Sequence, residues 1–504
     1  MFELRDLLQA TRARVRQHGP NSFHRVAISS RSADEGSLFV ALRGETRDGH
    51  DYVPDAISGG AVGVLVSREV DVPLGVTVIE VSDTLQALQD LASALRRKYS
   101  PRIVAITGSA GKTTTKDMVA HVLQSKFEVL RSSESHNNHL GVPLTLSSLE
   151  HVHSHAVVEI GTNSKGEIDK LATLVAPDTG VITNVGYAHI GNFGSLAEIA
   201  MEKVSLFDHV PVGGTCIING DDVLLDAVVA RSLDGSGKRR ISVGFGAHND
   251  VWVESVKLHE NGMSGVVRCT EESADFFVGI SGRHSVYSAL FAIAVGLENG
   301  IDFESGVEAM RSFVPPSGRS TLLRLRPDLV VLDDSYNASP DAVLAALSLL
   351  GELPGKVKIA VLGEMRELGQ KTAELHALVG ARAAAVASHL LTVGPNGELM
   401  IAAALNEGLD VRNTWCVPSA RDALHLIRKI LAGTTDTSAV LVKGARFTHM
   451  ERVSLGLRGM DIGCGLGNCW LYINCSTCPQ LEVGGDSPEQ ARAAGRAVHR
   501  NLSE

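Results

Sequence analysis

The chain has 504 residues, enough for about three domains, and its 44% hydrophobic content supports sizeable cores. A net charge of −10 speaks against a nucleic-acid binder, which would carry a basic stripe. No apolar run approaches the length that spans a bilayer, and seven cysteines in so long a chain do not build a disulfide framework.

The opening Met1-Phe-Glu-Leu-Arg-Asp carries no secretory signal, so the expectation is a cytoplasmic α/β protein. Residues 1–98 read as a small α/β domain. Short apolar runs at 25–28, 38–42, 62–66 and 76–79 alternate with turn residues, and a helical pattern from Thr84 to Lys98 closes the unit. Ser100-Pro101 marks the joint.

Residues 99–314 form the largest block, the expected central domain. Strand candidates at 103–107, 128–131, 156–160 and 181–185 are separated by helical patterns. That alternation implies a parallel sheet with nucleotide at the carboxyl ends of its strands. The stretch 219–267 is richer in short strands. After Pro315-Pro316-Ser317-Gly318, residues 315–453 resume the rhythm. Strands are expected at 329–332, 358–362, 390–393 and 440–442, and helices at 341–350 and 372–386. This predicts a Rossmann-like α/β domain at the C-terminal side.

Residues 454–504 break character. Cys464, Cys469, Cys475 and Cys478 raise a zinc reading, since Cys-x-x-Cys is half of a common zinc pattern. The spacing of the first pair fits poorly and favours an appendage without order of its own.

The most informative stretch is Gly108-Ser109-Ala110-Gly111-Lys112-Thr113-Thr114, after the strand-like run 102–107 and before the helix-like run 116–124. Backbone N–H groups and a helix N-terminus bind phosphate there, a Lys ammonium reaches the terminal phosphates, and a Thr hydroxyl can ligate Mg²⁺. The usual pattern has Gly where this chain has Ile106.

Three further groups follow at or near strand ends: Glu159 after an apolar run, His189 after the run 181–185, and Lys203 in the helical stretch 196–207. A hydroxyl, a carboxylate and an imidazole near phosphate can make a Mg²⁺ site. Singly, they also read as a surface charge, a loop histidine and a solvated helix lysine, and the residues alone leave that choice open.

Ordered segments along 25–453 resemble the Mur ligases of bacterial cell-wall synthesis. They are Ser30-Arg31 with Gly36–Gly44 and Asp48-Gly49-His50; Thr107–Thr115; Asn137–Thr145; Glu159–Asn163 with Gly166–Ile168; Thr183–His189; Gly282-Arg283-His284; Gly318-Arg319; Asp333–Asn337; Leu362–Gly369; and Lys443–Arg446. Asp334–Asn337 and Gly363–Gly369 are similar to the branch that adds a dipeptide. The strings of the branch that adds the third amino acid, Tyr-Ala-His-Thr-Pro and Asp-Asn-Pro-Arg, are missing.

The resemblance implies three domains: one binding a uridine nucleotide, a central ATPase domain with a phosphate loop, and a C-terminal ligase domain. It implies ATP-dependent joining of D-alanyl-D-alanine to UDP-N-acetylmuramoyl-tripeptide through an acyl phosphate. Lys112 would contact the phosphates within the loop Gly108–Thr114. Thr113 and Glu159 would hold one Mg²⁺ and His189 a second. Lys203 would be carbamylated, which turns a cation into an oxygen ligand. Ser30, Arg31, Asp48 and His50 would form the uridine pocket. His284 would lie near adenine, and Arg319 and Asp334 near the ATP phosphates or ribose. Asn337, Glu364 and Arg446 would face the acceptor or the tripeptide. The protein would act as a monomer on small molecules.

Ser285, Ser288 and Ser339 depart from the family's usual Asn, which predicts weaker or water-mediated adenine contacts. Two rivals remain. One is a different Mur-type or folylpolyglutamate-type ligase, against which the Ser30-Arg31 segment speaks. The other is a nucleotide-binding scaffold that has lost catalysis.

Overall fold

The computed structural model describes residues 1–133, 135–270, 272–466, 469, 474–478 and 481. Three large sheets follow one another along the chain.

The first is five-stranded. Val26–Ala27, Leu38–Val40, Gly63–Val66 and Thr77–Glu80 run parallel, and Arg14–Gln17 pairs antiparallel at the edge. Helix Thr84–Tyr99 buries Leu88, Leu91 and Leu95 against it and is capped by Asp83, whose carboxylate accepts the N–H groups of Leu85 and Gln86. The edge strand Arg-Val-Arg-Gln escapes a hydrophobicity-based reading because only alternate residues are half-buried.

The second sheet has nine strands. Arg102–Thr107 lies between His155–Glu159 and Thr179–Ile182, all parallel. The chain extends the sheet first on one side and later on the other, and a crevice opens at the carboxyl ends where that reversal occurs. Ile103 to Thr107 are buried on both faces, as expected for a central strand of β-branched residues. Val251–His259, Gly262–Cys269 and Glu272–Val278 complete the sheet as antiparallel hairpins.

Helix Lys112–Gln124 packs against helix Arg283–Glu298. Gly296 permits this approach, since a Cβ there would stand 2.8 Å from Val122 Cγ1. Met118, Val122, Val286, Leu290 and Ile293 close the shared core over Val104 and Ile106.

The third sheet has five parallel strands, Leu329–Asp333, Ser438–Lys443, Val357–Gly363, His389–Val393 and Thr414–Val417. Thr321–Arg326 pairs antiparallel on its edge. Leu332, Leu347, Leu362, Val379 and Leu441 form the core on one face, and Val331, Val361, Ile427 and Val440 on the other. No helix among the described residues is long and apolar enough to cross a membrane.

The joint expected at 453/454 falls inside helix Glu451–Leu457. The described part of the tail is packed against the third unit. Ile462, Cys475 and Leu481 bury against Leu424 and Leu455, and the buried Arg452 donates to Leu466 O at 2.6 Å. The physical reason is a shared apolar contact that short, polar-looking sequence conceals. Residues 467, 468, 470–473, 479, 480 and 482–504 lie outside the described residues.

Candidate active site

The phosphate loop leaves strand Arg102–Thr107 through two glycines with positive φ, +149° at Gly108 and +79° at Gly111. A Cβ on Gly108 would meet Thr183 Oγ1 at 1.8 Å. The loop is braced from the strand beside it: Ala110 N–H donates to Asn184 Oδ1 at 2.9 Å, Thr183 Oγ1 donates to Ala110 O at 2.6 Å, and Ser109 Oγ accepts Gly186 N–H at 2.8 Å. Gly108→Ala is therefore expected to abolish ATP binding, because strain of about 1–3 kcal/mol adds to a collision with a braced side chain. Equilibrium titration with a fluorescent ATP analogue checks this, and wild-type affinity would refute the rigid-loop account.

Lys112 opens helix Lys112–Gln124 and folds back to donate to Gly108 O at 2.7 Å. Burial pushes its ammonium below the usual lysine range, with Glu159 opposing and Arg319 adding to the fall. Thr113 Oγ1 is 3.4 Å from Ser135 Oγ, and Ser135 is 2.7 Å from the Tyr336 hydroxyl. Tyr336 thus ties the third unit to the phosphate loop.

Glu159 ends its strand 1% exposed. Oε1 accepts Asn137 Nδ2 at 2.7 Å, while Oε2 is buried with no hydrogen-bond partner among the described residues. The Lys116 ammonium is 4.0 Å from Oε2. Lys203 is 2% exposed near the end of helix Leu196–Val204. Burial, reinforced by the neighbouring Lys112 charge, holds its pKa well below the lysine range, with Glu202 opposing. His189 adopts φ +62° and pairs with Glu367 of the third unit. Gly191 N–H donates to Glu367 O at 2.9 Å in the same joint.

Arg319 lies with its guanidinium 3.8 Å from the Tyr336 ring centre, and Arg446 lies 5.1 Å from it. Asp334 accepts Ser320 N–H at 3.1 Å and pairs with the buried Lys443. Lys443 also donates to Asn337 O at 3.0 Å, while Asn337 itself is exposed. Glu364 is buried and accepts Asn396 Nδ2 at 3.2 Å. His284 bonds Ser320 Oγ at 3.0 Å. Lys112, Thr113, Glu159, Lys203, Arg319 and Tyr336 therefore converge. No hydrogen bond or ion pair among the described residues links Ser30, Arg31, Asp48 or His50 to them, and those four belong to the first unit.

Within that unit, Ser30 and Arg31 form a short 3₁₀ turn, with Arg31 exposed. Ser67 N–H donates to His50 Nε2 at 2.8 Å, so Nδ1 carries the proton and donates to Asp48 at 2.5 Å. One His50 nitrogen thus holds its own turn and the other ties that turn to Ser67. Two hydrogen bonds from His50, first its backbone N–H and then its ring, lower the Asp48 pKa to about 2. The unfolded value is about 3.9. The pairing stabilises the fold fully above about pH 4 and is lost as pH falls through about 2. Asp48→Asn is expected to flatten the acid limb of thermal stability over that window. Melting curves against pH check this, and identical limbs would refute it.

Ser285 donates to Ser281 O at 3.0 Å, and Ser288 accepts Thr115 Oγ1 at 3.0 Å, both buried. They knit helix Arg283–Glu298 to its own turn and to the phosphate-loop helix. Ser339 is the N-cap of helix Pro340–Glu352, with no side-chain cap bond. Asn137, Asn184, Lys116 and Tyr336 were not singled out from sequence. Asn137, Asn184 and Tyr336 each lie inside a segment that carries the resemblance, and Lys116 directly follows one.

Three family regions match: the Mur ligase family catalytic domain over 22–96, the Mur ligase middle domain over 106–296, and the glutamate ligase domain of Mur ligases over 318–446. The UDP-N-acetylmuramoyl-tripeptide–D-alanyl-D-alanine ligase of Bacillus subtilis is 36% identical over 367 residues, covering 72% of this chain and 78% of the relative. The same-named enzyme of Escherichia coli is 32% identical over 434 residues, covering 86% and 93%. A crystal structure of MurF from Acinetobacter baumannii superposes with TM-score 0.82 at 30% identity, covering 91% of this chain and 99% of that one.

Proposed function

The chain belongs to the Mur ligase family, and we propose that it joins D-alanyl-D-alanine to UDP-N-acetylmuramoyl-tripeptide at the expense of ATP. The carrying observation is identity of 32–36% to ligases of that name over most of both chains. The convergent Lys112, Thr113, Glu159 and Lys203 support it.

The γ-phosphoryl group of ATP passes to the terminal carboxylate of the tripeptide, giving an acyl phosphate. The dipeptide amine attacks the carbonyl carbon, and phosphate leaves. Such chemistry rests on positioning and on charge neutralisation. The loop N–H groups and Lys112 would receive the β- and γ-phosphates, and Arg319 would extend the positive surface. Glu159 Oε2 is a buried carboxylate oxygen without a hydrogen bond among the described residues, which fits a cation; with Thr113 it would hold Mg²⁺, and His189 a second. Bound Mg²⁺ supplies screening of phosphate charge.

Lys203 fits carbamylation for a physical reason. Carbon dioxide adds only to a neutral amine, and burial beside Lys112 favours that form. The resulting anion replaces a clash of two cations with an attraction. Ser30 and Arg31 would meet the uridine nucleotide, with Asp48 and His50 shaping the turn beside them. His284 would lie by adenine and Asp334 would hold Lys443 near the nucleotide. Asn337, Glu364 and Arg446 would address the peptide substrates. The reaction belongs in the cytoplasm, where ATP and its UDP-linked substrate meet.

Phosphate release with ATP and Mg²⁺ tests the reading. Release that requires both UDP-muramoyl-tripeptide and D-alanyl-D-alanine is expected. ATP binding without release on any acceptor would replace it with the scaffold reading.

A further inference from the structure

Near the C-terminal side of the described chain, three lone-pair donors converge in a buried cluster. His449 Nδ1 is 2.9 Å from Glu451 Oε1 and 3.2 Å from Cys475 Sγ, and one ligand atom from each residue lies within 4.8 Å of the others. His449, Glu451 and Cys475 are 2%, 8% and 3% exposed.

The surroundings resolve what each atom offers. His449 Nε2 is 3.3 Å from the Cys469 carbonyl oxygen, an acceptor only, so Nε2 carries a proton. That bond fixes the ring and turns Nδ1 toward the carboxylate and the sulfur. A ring nitrogen donating to a backbone carbonyl while its opposite nitrogen ligates is the common outer support of a metal-bound histidine. Arg452 Nε donates to Cys475 Sγ at 3.3 Å, so the sulfur is held in place toward the ring, and a thiolate is the form that binds metal.

The Arg446 guanidinium stands 3.9 Å from Glu451 Oε1, beyond hydrogen-bond reach, so the carboxylate has room for a closer cation. A proton on Nδ1 would serve Glu451 Oε1 and the sulfur, yet Glu451 Oε2 is buried with no hydrogen-bond partner among the described residues. A metal ion ligated by the carboxylate serves both oxygens. Thiolate, imidazole and carboxylate together suit zinc, at about 2.0–2.3 Å from each donor.

We propose that His449, Glu451 and Cys475 form a structural zinc site that fastens residues 474–478 to the start of helix Glu451–Leu457. Cys464 and Cys469 interact electrostatically with the same guanidinium, and either sulfur or a water completes the fourth position. The site joins segments 24 residues apart in sequence, Glu451 and Cys475. It gives the cysteine-bearing tail a task that four cysteines alone did not define.

The test uses the full-length protein. Elemental analysis after gel filtration is expected to find near-stoichiometric zinc, reduced about tenfold or more in His449→Gln and in Cys475→Ser. Replacement of zinc by cobalt should give a thiolate-to-cobalt charge-transfer band in the wild type that Cys475→Ser lacks. A metal-free wild type that gives no cobalt band would overturn the proposal and leave His449 as an imidazolium. Zinc retained in both variants, and lost only on mutating Cys464, Cys469 or Cys478, would overturn it in favour of a cysteine site. Should either variant misfold, the wild-type cobalt spectrum still decides between thiolate ligation and none.

Discussion

Lys203→Ala is expected to lower turnover by about three orders of magnitude while leaving the fold intact. The wild-type lysine is buried and shares its surroundings with Lys112. A plain lysine there would repel the phosphate-binding lysine and disfavour itself. As a carbamate it would attract Lys112 and offer oxygens to Mg²⁺. Lys203→Arg should be equally inactive, since a guanidinium does not add carbon dioxide under these conditions. Wild-type turnover should fall in carbon-dioxide-depleted buffer and return with bicarbonate, whereas Lys203→Ala should ignore bicarbonate. Near-normal turnover of Lys203→Ala would sink the assignment. A merely structural lysine would not produce the bicarbonate dependence.

The phosphate loop was legible because its chemistry is local. Gly108, Gly111, Lys112 and Thr113 lie within six residues, and the strand before them is apolar from Ile103 to Ile106. Ile106 in place of the usual glycine does no harm, for it is a fully buried strand residue pairing with Glu159 in the parallel ladder. What sequence left out is long-range. Asn137 grips Glu159 from 22 positions away, Asn184 braces Ala110 from 74, and Tyr336 reaches Ser135 from 201. No periodicity encodes such pairings.

Two of the three serines have internal partners that sequence does not show: the Ser285 hydroxyl donates to Ser281 O, and Ser288 accepts from Thr115 inside the domain. A shorter side chain here secures helix packing. His50 is similar: expected in a ligand pocket, it spends one ring nitrogen on Asp48 of its own turn and the other on Ser67. Edge strands were missed for a common reason. Arg14–Gln17 and Thr321–Arg326 carry arginines on alternate positions, as exposed edges do.

Glu159→Gln is the second large effect. The substitution keeps volume and retains an oxygen for Asn137 Nδ2, but it removes the negative charge. Two consequences follow. The oxygen proposed to ligate Mg²⁺ loses its charge, and the buried Lys116 ammonium, 4.0 Å away, loses an acidic neighbour. Leaving a buried cation less compensated costs stability, because burial already pushes Lys116 below the lysine range with Asp117 and then Glu159 opposing. Turnover is expected to fall on the order of 10²–10³-fold, with a raised Mg²⁺ requirement. A structural role alone would lower the melting temperature and leave the Mg²⁺ dependence of the remaining turnover unchanged. Titrating Mg²⁺ at fixed ATP separates the two: a shifted midpoint assigns Glu159 to the metal, and an unshifted one returns it to the packing of Lys116. The geometry favours the shift, because Glu159 keeps one oxygen for Asn137 and holds the other without a hydrogen bond at the carboxyl end of the sheet. A residue built only for packing would have both engaged.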